Sequence, residues 1–159
     1  MIRRIFAAIV LLTFLSSPIF AACQNNAVDI RGEFGQLRFK VDVADTTPLR
    51  TQGLMHVQSM PQLHGMIFVF PKPQFASFWM KNTLIPLDLL FIGANGKIRK
   101  IHENAVPHSL DGIKGGHRIL AVLEINGGLS DKFGIKAGDV IRHPAFSEHD
   151  PIWSCDDNS

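Results

Sequence analysis

No run of Lys or Arg in this 159-residue chain exceeds two residues, and acidic and basic side chains nearly balance, 14 against 16. A nucleic-acid partner therefore has no electrostatic footprint here. No segment shows the sustained 3.6-residue apolar period that βαβ crossover helices need. No internal repeat is visible. Catalytic signatures are missing too. Ser77, Ser109 and Thr83 stand outside any nucleophile-elbow motif, and the spacings of His102, His108 and His117 fit no zinc pattern. No cofactor is implied. Cysteine is scarce: Cys23 and Cys155 lie near the two ends, where a catalytic thiol would lack walls. Hydrophobic residues are not scarce. They make up 46% of the chain, which excludes intrinsic disorder.

What is present begins with an address. Arg3 and Arg4 precede an apolar run, Ile5 to Leu15, interrupted only by Thr13. Ser16, Ser17 and Pro18 break it, and Ala21-Ala22 supplies small residues for cleavage. The run is too short for an ordinary membrane span. Residues 1–22 thus read as a signal peptide, and the mature protein as periplasmic or secreted. Without Arg3 and Arg4 the chain carries 14 basic and 14 acidic residues. Ile19-Phe20-Ala21-Ala22-Cys23 is also a permissive lipobox. If it is used, Cys23 carries lipid, the membrane becomes a partner and Cys155 is left over. If ordinary signal peptidase acts, Cys23 and Cys155 form an even pair in an oxidising compartment and tie the two ends. Residues 23–145 then form one domain, followed by a polar tail, 146–159.

Along the chain, Gln36 to Ala44 alternates: Leu37, Phe39, Val41 and Val43 face one way, Arg38, Lys40 and Asp42 the other. This is a half-buried strand. Asp45-Thr46-Thr47 before Pro48 starts a short helix that Gly53 interrupts. Gly65 to Phe70 reads as a strand stopped by Pro71 and Pro73, and Phe75 to Met80 as another. Leu87 to Ile92, Asn95-Gly96 and Lys97 to Ile101 read as a hairpin, with φ > 0 at both turn residues. Arg118 to Ile125 is a buried strand, Leu129 to Phe133 a helical segment ended by Gly134, and Val140 to His143 a last strand. Gly112, Gly115 and Gly116 leave the loop Asn104 to Gly116 free to act as a lid. The expected class is α+β, mainly β: a mostly antiparallel sheet curled into a small barrel with about two short helices.

Several blocks in this string look chosen rather than generic. They are Arg50-x-x-Gly53-Leu54-Met55, Gly65-Met66-x-Phe68, Phe78-Trp79-Met80-Lys81-Asn82-Thr83-x-x-Pro86-Leu87-Asp88, Val122-Leu123-Glu124 and Gly134-Ile135-x-x-Gly138-Asp139. Together they resemble the domain of unknown function 192 family, from Gln36 to Ile141. The resemblance implies a compact α/β domain, often exported, and no reaction. The family often has a basic residue shortly after Gly-Leu-Met; here Val57-Gln58 stands in that place.

Two carboxylates sit where charge is expensive. On strands, Asp88 shares a face with Leu90 and Ile92, and Glu124 with Leu120 and Val122. Buried without a partner, either would cost several kcal/mol or shift its pKa upwards. Each is a structural clamp for Lys81, Arg50, Asn82 or loop backbone, or part of a working site. Asn82 and Thr83 read as a turn after a strand or as polar ligand contacts. Trp79 reads as core, or as an exposed platform for a sugar or another flat-faced ligand, since strand alternation puts it beside Lys81. Met55-His56-x-x-x-Met60-x-x-x-His64-x-Met66 offers thioether and imidazole ligands suited to Cu(I), though Met55, Met66 and Met80 also read as core filler.

The leading expectation is an exported binding or accessory domain for a small molecule or another exported protein. Its polar site would be built from Arg50, Trp79, Lys81, Asn82, Thr83, Asp88 and Glu124. The alternatives are a small hydrolase or lyase using Asp88 or Glu124 as general base, and a periplasmic copper protein. Mass spectrometry of the exported protein from its native host is expected to find a mature terminus between Ala21 and Gln24; an intact Met1 would refute the leader.

Overall fold

The computed structural model describes residues 23–157, so the expected signal peptide lies outside the described residues. The elements are β1 Ala27–Gly32, β2 Gly35–Ala44, α1 Thr47–Gln52, β3 His64–Phe78, β4 Leu87–Gly93, β5 Ile98–Ala105, β6 Ile113–Asn126, α2 Leu129–Phe133 and β7 Val140–Arg142. The seven strands form one sheet in the order β5-β4-β6-β3-β2-β1-β7. It curls into a half-barrel whose edges meet at the bridge Lys97↔Val140, where Ile141 N–H donates to Gly96 O. A side chain at Gly96 would put its Cβ 2.7 Å from Ile141 O, so only glycine fits this seam.

Every pairing is antiparallel except β2–β3, where Val41 faces Gly65 and Val43 faces Ile67 in parallel. The sheet is therefore mixed rather than purely antiparallel. The crossover spans residues 45–63 with only the six-residue α1, started by Thr46, whose side chain accepts from Leu49 N–H. A parallel return needs only about a dozen residues of any shape, so it left no helical period in the sequence.

Four local expectations also change. β3 runs through Pro71 and Pro73 instead of stopping: both are exposed, and its pairing to β6 is interrupted between Val69 and Gln74, where missing N–H groups cost nothing. The β4–β5 turn has a left-handed Gly96 but not a left-handed Asn95; Gly96 N–H donates to Gly93 O, and Asn95 Oδ1 accepts from Lys97 N–H. β6 begins at Ile113, which shortens the lid loop, because Gly115 leaves room for the Phe91 ring. The segment after residue 145 is no free polar tail. Pro144–His149 forms a 3-10 turn, Phe146 and Trp153 are buried, and Cys155 is bonded to Cys23, with Cα atoms 5.4 Å apart. That bond occupies the sulfur a lipid anchor would need.

β1 escaped detection because a charge interrupts it. Asp29 is buried, directly opposite Arg38 on β2 and Arg142 on β7. Arg38 donates to both carboxylate oxygens at 2.6 and 2.8 Å, and Arg142 donates to Oδ2 at 2.9 Å. Burial alone would raise this carboxyl, but the two guanidiniums overcome that and hold it below the usual range. Arg142 and Arg31 also lie over the Trp153 ring, 4.4 and 4.5 Å from its centre.

The sheet has apolar clusters on both faces. Leu90, Ile92, Leu123 and Ile125 join Leu129 and Phe146 on one side. Leu89, Phe91, Val122 and Phe68 join Leu54 and Met80 on the other. Every residue of β4 is buried. Asp88 lies on the α2 side and is fully out of water. Its Oδ1 accepts from Asn104 N–H (2.8 Å) and Gly128 N–H (2.9 Å), and its Oδ2 from Ser130 N–H (2.8 Å). One carboxylate thus joins the start of β4, the end of β5 and the entry to α2. Asp88→Asn presents an amide N–H₂ to one of these donors. It is expected to lower stability by about 1.5–3 kcal/mol in urea unfolding at neutral pH, the usual worth of charged hydrogen bonds.

Candidate functional site

Glu124 sits near the end of β6, opposite Met66 on β3 and Leu89 on β4. Val122 is on the same side, but Leu120 is not; β6 is irregular between Ile119 and Ala121, and Leu120 joins the other cluster. The residue is only 4% exposed. It lines a small cleft of about 30 Å³. The walls are Arg50 to Met55 from the end of α1, Phe68 from β3, and Trp79, Lys81 and Thr83 from the segment after β3.

Local backbone geometry brings these pieces close. Gly65 lies so near β6 that a Cβ there would be 2.4 Å from Glu124 O, so β3 can approach this strand only with glycine at that point. Asn82 takes a left-handed φ of 55° and turns the chain back. Its carbonyl accepts from His56 N–H at 2.9 Å, which pins the α1 exit to the segment after β3. Thr83 N–H donates to Met80 O, and Thr83 O accepts from His108 N–H. Trp79 is 50% exposed, which removes the core reading.

Five of the seven residues expected at a site therefore meet: Arg50, Trp79, Lys81, Thr83 and Glu124. Asn82 is beside them, its Nδ2 3.9 Å from the sulfur of the cleft residue Met55. Asp88 is not there. It pairs with Ile125, one position along from Glu124, and so points to the opposite face of the sheet. The two carboxylates cannot act as a dyad. Asp88 is held by loop backbone rather than by Lys81, Arg50 or Asn82. Thr51, Gln52, Leu54 and Phe68 were not expected at the site, although Leu54 and Phe68 stand inside the motif blocks.

The cleft is electrostatically unbalanced. Among the described residues neither an ion pair nor a hydrogen bond engages the Glu124 carboxyl. Arg50 spends its guanidinium on carbonyls: Nη1 donates to Asp45 O and, at 2.9 Å, to Val69 O, while Nη2 donates to Thr47 Oγ1. Lys81 Nζ stands 5.2 Å from the centre of the Trp79 ring. Burial without a counter-charge pushes the Glu124 carboxyl up to about 8. It is therefore an acid at neutral pH.

The methionine and histidine pattern resolves differently. Met60 and Met66 pack against the apolar cluster beside the cleft, and Met80 is inside it. His56 is exposed.

The raised Glu124 carboxyl has a signed consequence. The folded state keeps a proton that the unfolded state releases between about pH 4.5 and about pH 8. Stability must fall as pH rises through that window. His143, lowered by burial, and Asp29 contribute slopes of the opposite sign. They cancel in the difference between wild type and Glu124→Gln. Urea unfolding from pH 4.5 to 9 is expected to show the variant gaining on the wild type up to about pH 8 and levelling off above it; a constant difference would show that Glu124 is ionised in the fold.

Comparisons with known proteins agree with this architecture. The profile of the domain of unknown function 192 (DUF192) family, described as "Uncharacterized ACR", matches residues 28–143. No curated protein matches the chain. A solved protein of unknown function from Novosphingobium aromaticivorans is 40% identical with a TM-score of 0.71, covering 72% of this chain and 82% of that one. A Sinorhizobium meliloti protein described as a candidate transcription regulator is 38% identical with a TM-score of 0.72, covering 77% of this chain and 95% of that one. The blocks that converge on Glu124 are the ones that carried the resemblance, and the profile spans the whole sheet from β1 to β7: the chain belongs to the DUF192 family.

Proposed function

We propose that the chain is an exported binding domain that takes a polar group of a small ligand into the Glu124 cleft. One observation carries this reading. Three blocks far apart in sequence, Arg50 to Met55, Gly65 to Phe68 and Trp79 to Thr83, enclose a buried carboxyl left without a partner. The same fold satisfies its other buried carboxylates, Asp29 with two guanidiniums and Asp88 with three backbone donors. The Glu124 oxygens are not sealed like the buried unpartnered atoms of this fold, so a group entering the cleft can supply the missing partner. The half-exposed Trp79 gives that ligand a flat surface beside the opening.

The signal-like leader and the Cys23–Cys155 disulfide support export, since such a bond persists in oxidising compartments. A transcriptional role, as described for the Sinorhizobium protein, would call for a basic surface, and beyond Arg3 and Arg4 the charges balance. A second reading, general acid–base catalysis by Glu124, is favoured by a carboxyl pushed up to about 8, close to working pH. Turnover of a bound ligand, abolished in Glu124→Gln, would select it.

A thermal-shift screen of small polar molecules is expected to give hits that raise the Tm of the wild type by mass action. Trp79→Ala and Glu124→Ala should weaken each true hit about tenfold or more, the effect of removing a central contact. Hits that shift wild type and both variants alike would refute this site.

A further inference from the structure

We infer that the group received by this cleft is a carboxylate, held between the Lys81 ammonium and the Glu124 carboxyl while the rest of the ligand lies on Trp79. The inference rests on the binding role proposed for the cleft and specifies its ligand class.

Charge is the first argument. The cleft is lined by two cations, Arg50 and Lys81, and one acid, Glu124. Arg50 is the charged group from α1, and Lys81 the one from the segment after β3. The flanking positions Met66 and Phe68 on β3 and Leu89 on β4 are uncharged. The carbonyls that accept from Arg50 orient it without neutralising it. Among the described residues Lys81 has no carboxylate partner and rests over an aromatic face. A positive field with nothing opposite draws an anion and repels a cation.

Glu124 then decides which anion. An ionised Glu124 would repel it. A protonated Glu124 donates an O–H to it, one of the stronger kinds of hydrogen bond. Burial keeps that proton in place at neutral pH, and an arriving negative charge would hold it more firmly. A neutral hydroxyl would satisfy Glu124 but leave the ammonium uncompensated.

Size is the second argument. The space open to the centre of a water-sized sphere is only about 30 Å³, so a small group of a ligand enters rather than the whole molecule. The remainder of the ligand must stay outside, where the indole is half uncovered.

Calorimetric titration of the mature chain from pH 6 to 9.5 tests this with benzoate, glucuronate and pyruvate against benzamide, glucose and pyruvamide. At least one carboxylate should bind about tenfold or more tightly than its neutral counterpart. Its affinity should fall about tenfold per pH unit once Glu124 ionises, as expected for one linked proton. Glu124→Gln, which has no proton to titrate there, should lose the pH dependence. Lys81→Met should weaken the carboxylate and spare the neutral compounds. If a neutral probe binds as tightly and Lys81→Met changes nothing, the carboxylate is overturned while the cleft stands. If none of the carboxylates binds, the inference also falls. If binding survives both Trp79→Ala and Glu124→Ala, the cleft itself falls.

Discussion

Two stretches of this protein, β4 and Ile119 to Ile125 of β6, have water on neither face. They run through the middle of the sheet, pair on both edges, and separate two apolar clusters. Backbone groups there are satisfied by the ladders; side chains have no such default. Any polar atom on these strands must bring its own partner. That constraint shapes the turns around them. The end of β5, the Gly127-Gly128 turn and the start of α2 are arranged so that their N–H groups converge on Asp88. A short helix with no side-chain cap of its own is thereby held by a carboxylate from another strand.

Three acids out of water receive three treatments. Asp29 answers two arginines across adjacent strands, and by doing so fixes β1 between β2 and β7 where the two chain ends meet. Asp88 has its lone pairs filled by backbone. Glu124 shares its cleft with two cations whose donors are engaged elsewhere, and burial alone sets its charge state. The first two arrangements serve the fold. The third leaves a group whose charge state depends on what sits next to it.

Much of this was legible in the sequence, and the rest was hidden for identifiable reasons. β2 showed through its alternation, α1 through Thr46 and Gly53, and α2 through its bounding glycines. β1 was masked because Asp29 breaks an apolar pattern that only its cross-strand arginines restore. The parallel return of β3 was masked because its crossover is mostly irregular chain. Pro71 and Pro73 suggested a break, since nothing local reveals that the ladder is already open there. Trp153 was lost in a polar neighbourhood, its ring covered by guanidiniums rather than by apolar neighbours. At the site, the period-two pattern marked both Asp88 and Glu124 as costly, but which side of a sheet each faces is decided by layers that local sequence does not encode. Arg50, Trp79, Lys81 and Thr83 stood out in the sequence because they belong to compact motif blocks; Thr51 and Gln52, which line the same cleft, have no distinguishing chemistry and could be placed only by the fold.

The two tryptophans of this chain occupy opposite environments. Trp79 is half in water at the mouth of the cleft, and Trp153 is sealed beneath two guanidiniums at the tied ends of the chain. With no tyrosine to interfere, the protein's ultraviolet emission divides into two addressable signals. Quenching by iodide or acrylamide reaches the first and spares the second. Occupancy of the cleft and integrity of the disulfide-tied seam can thus be followed separately, in the same cuvette and without a label.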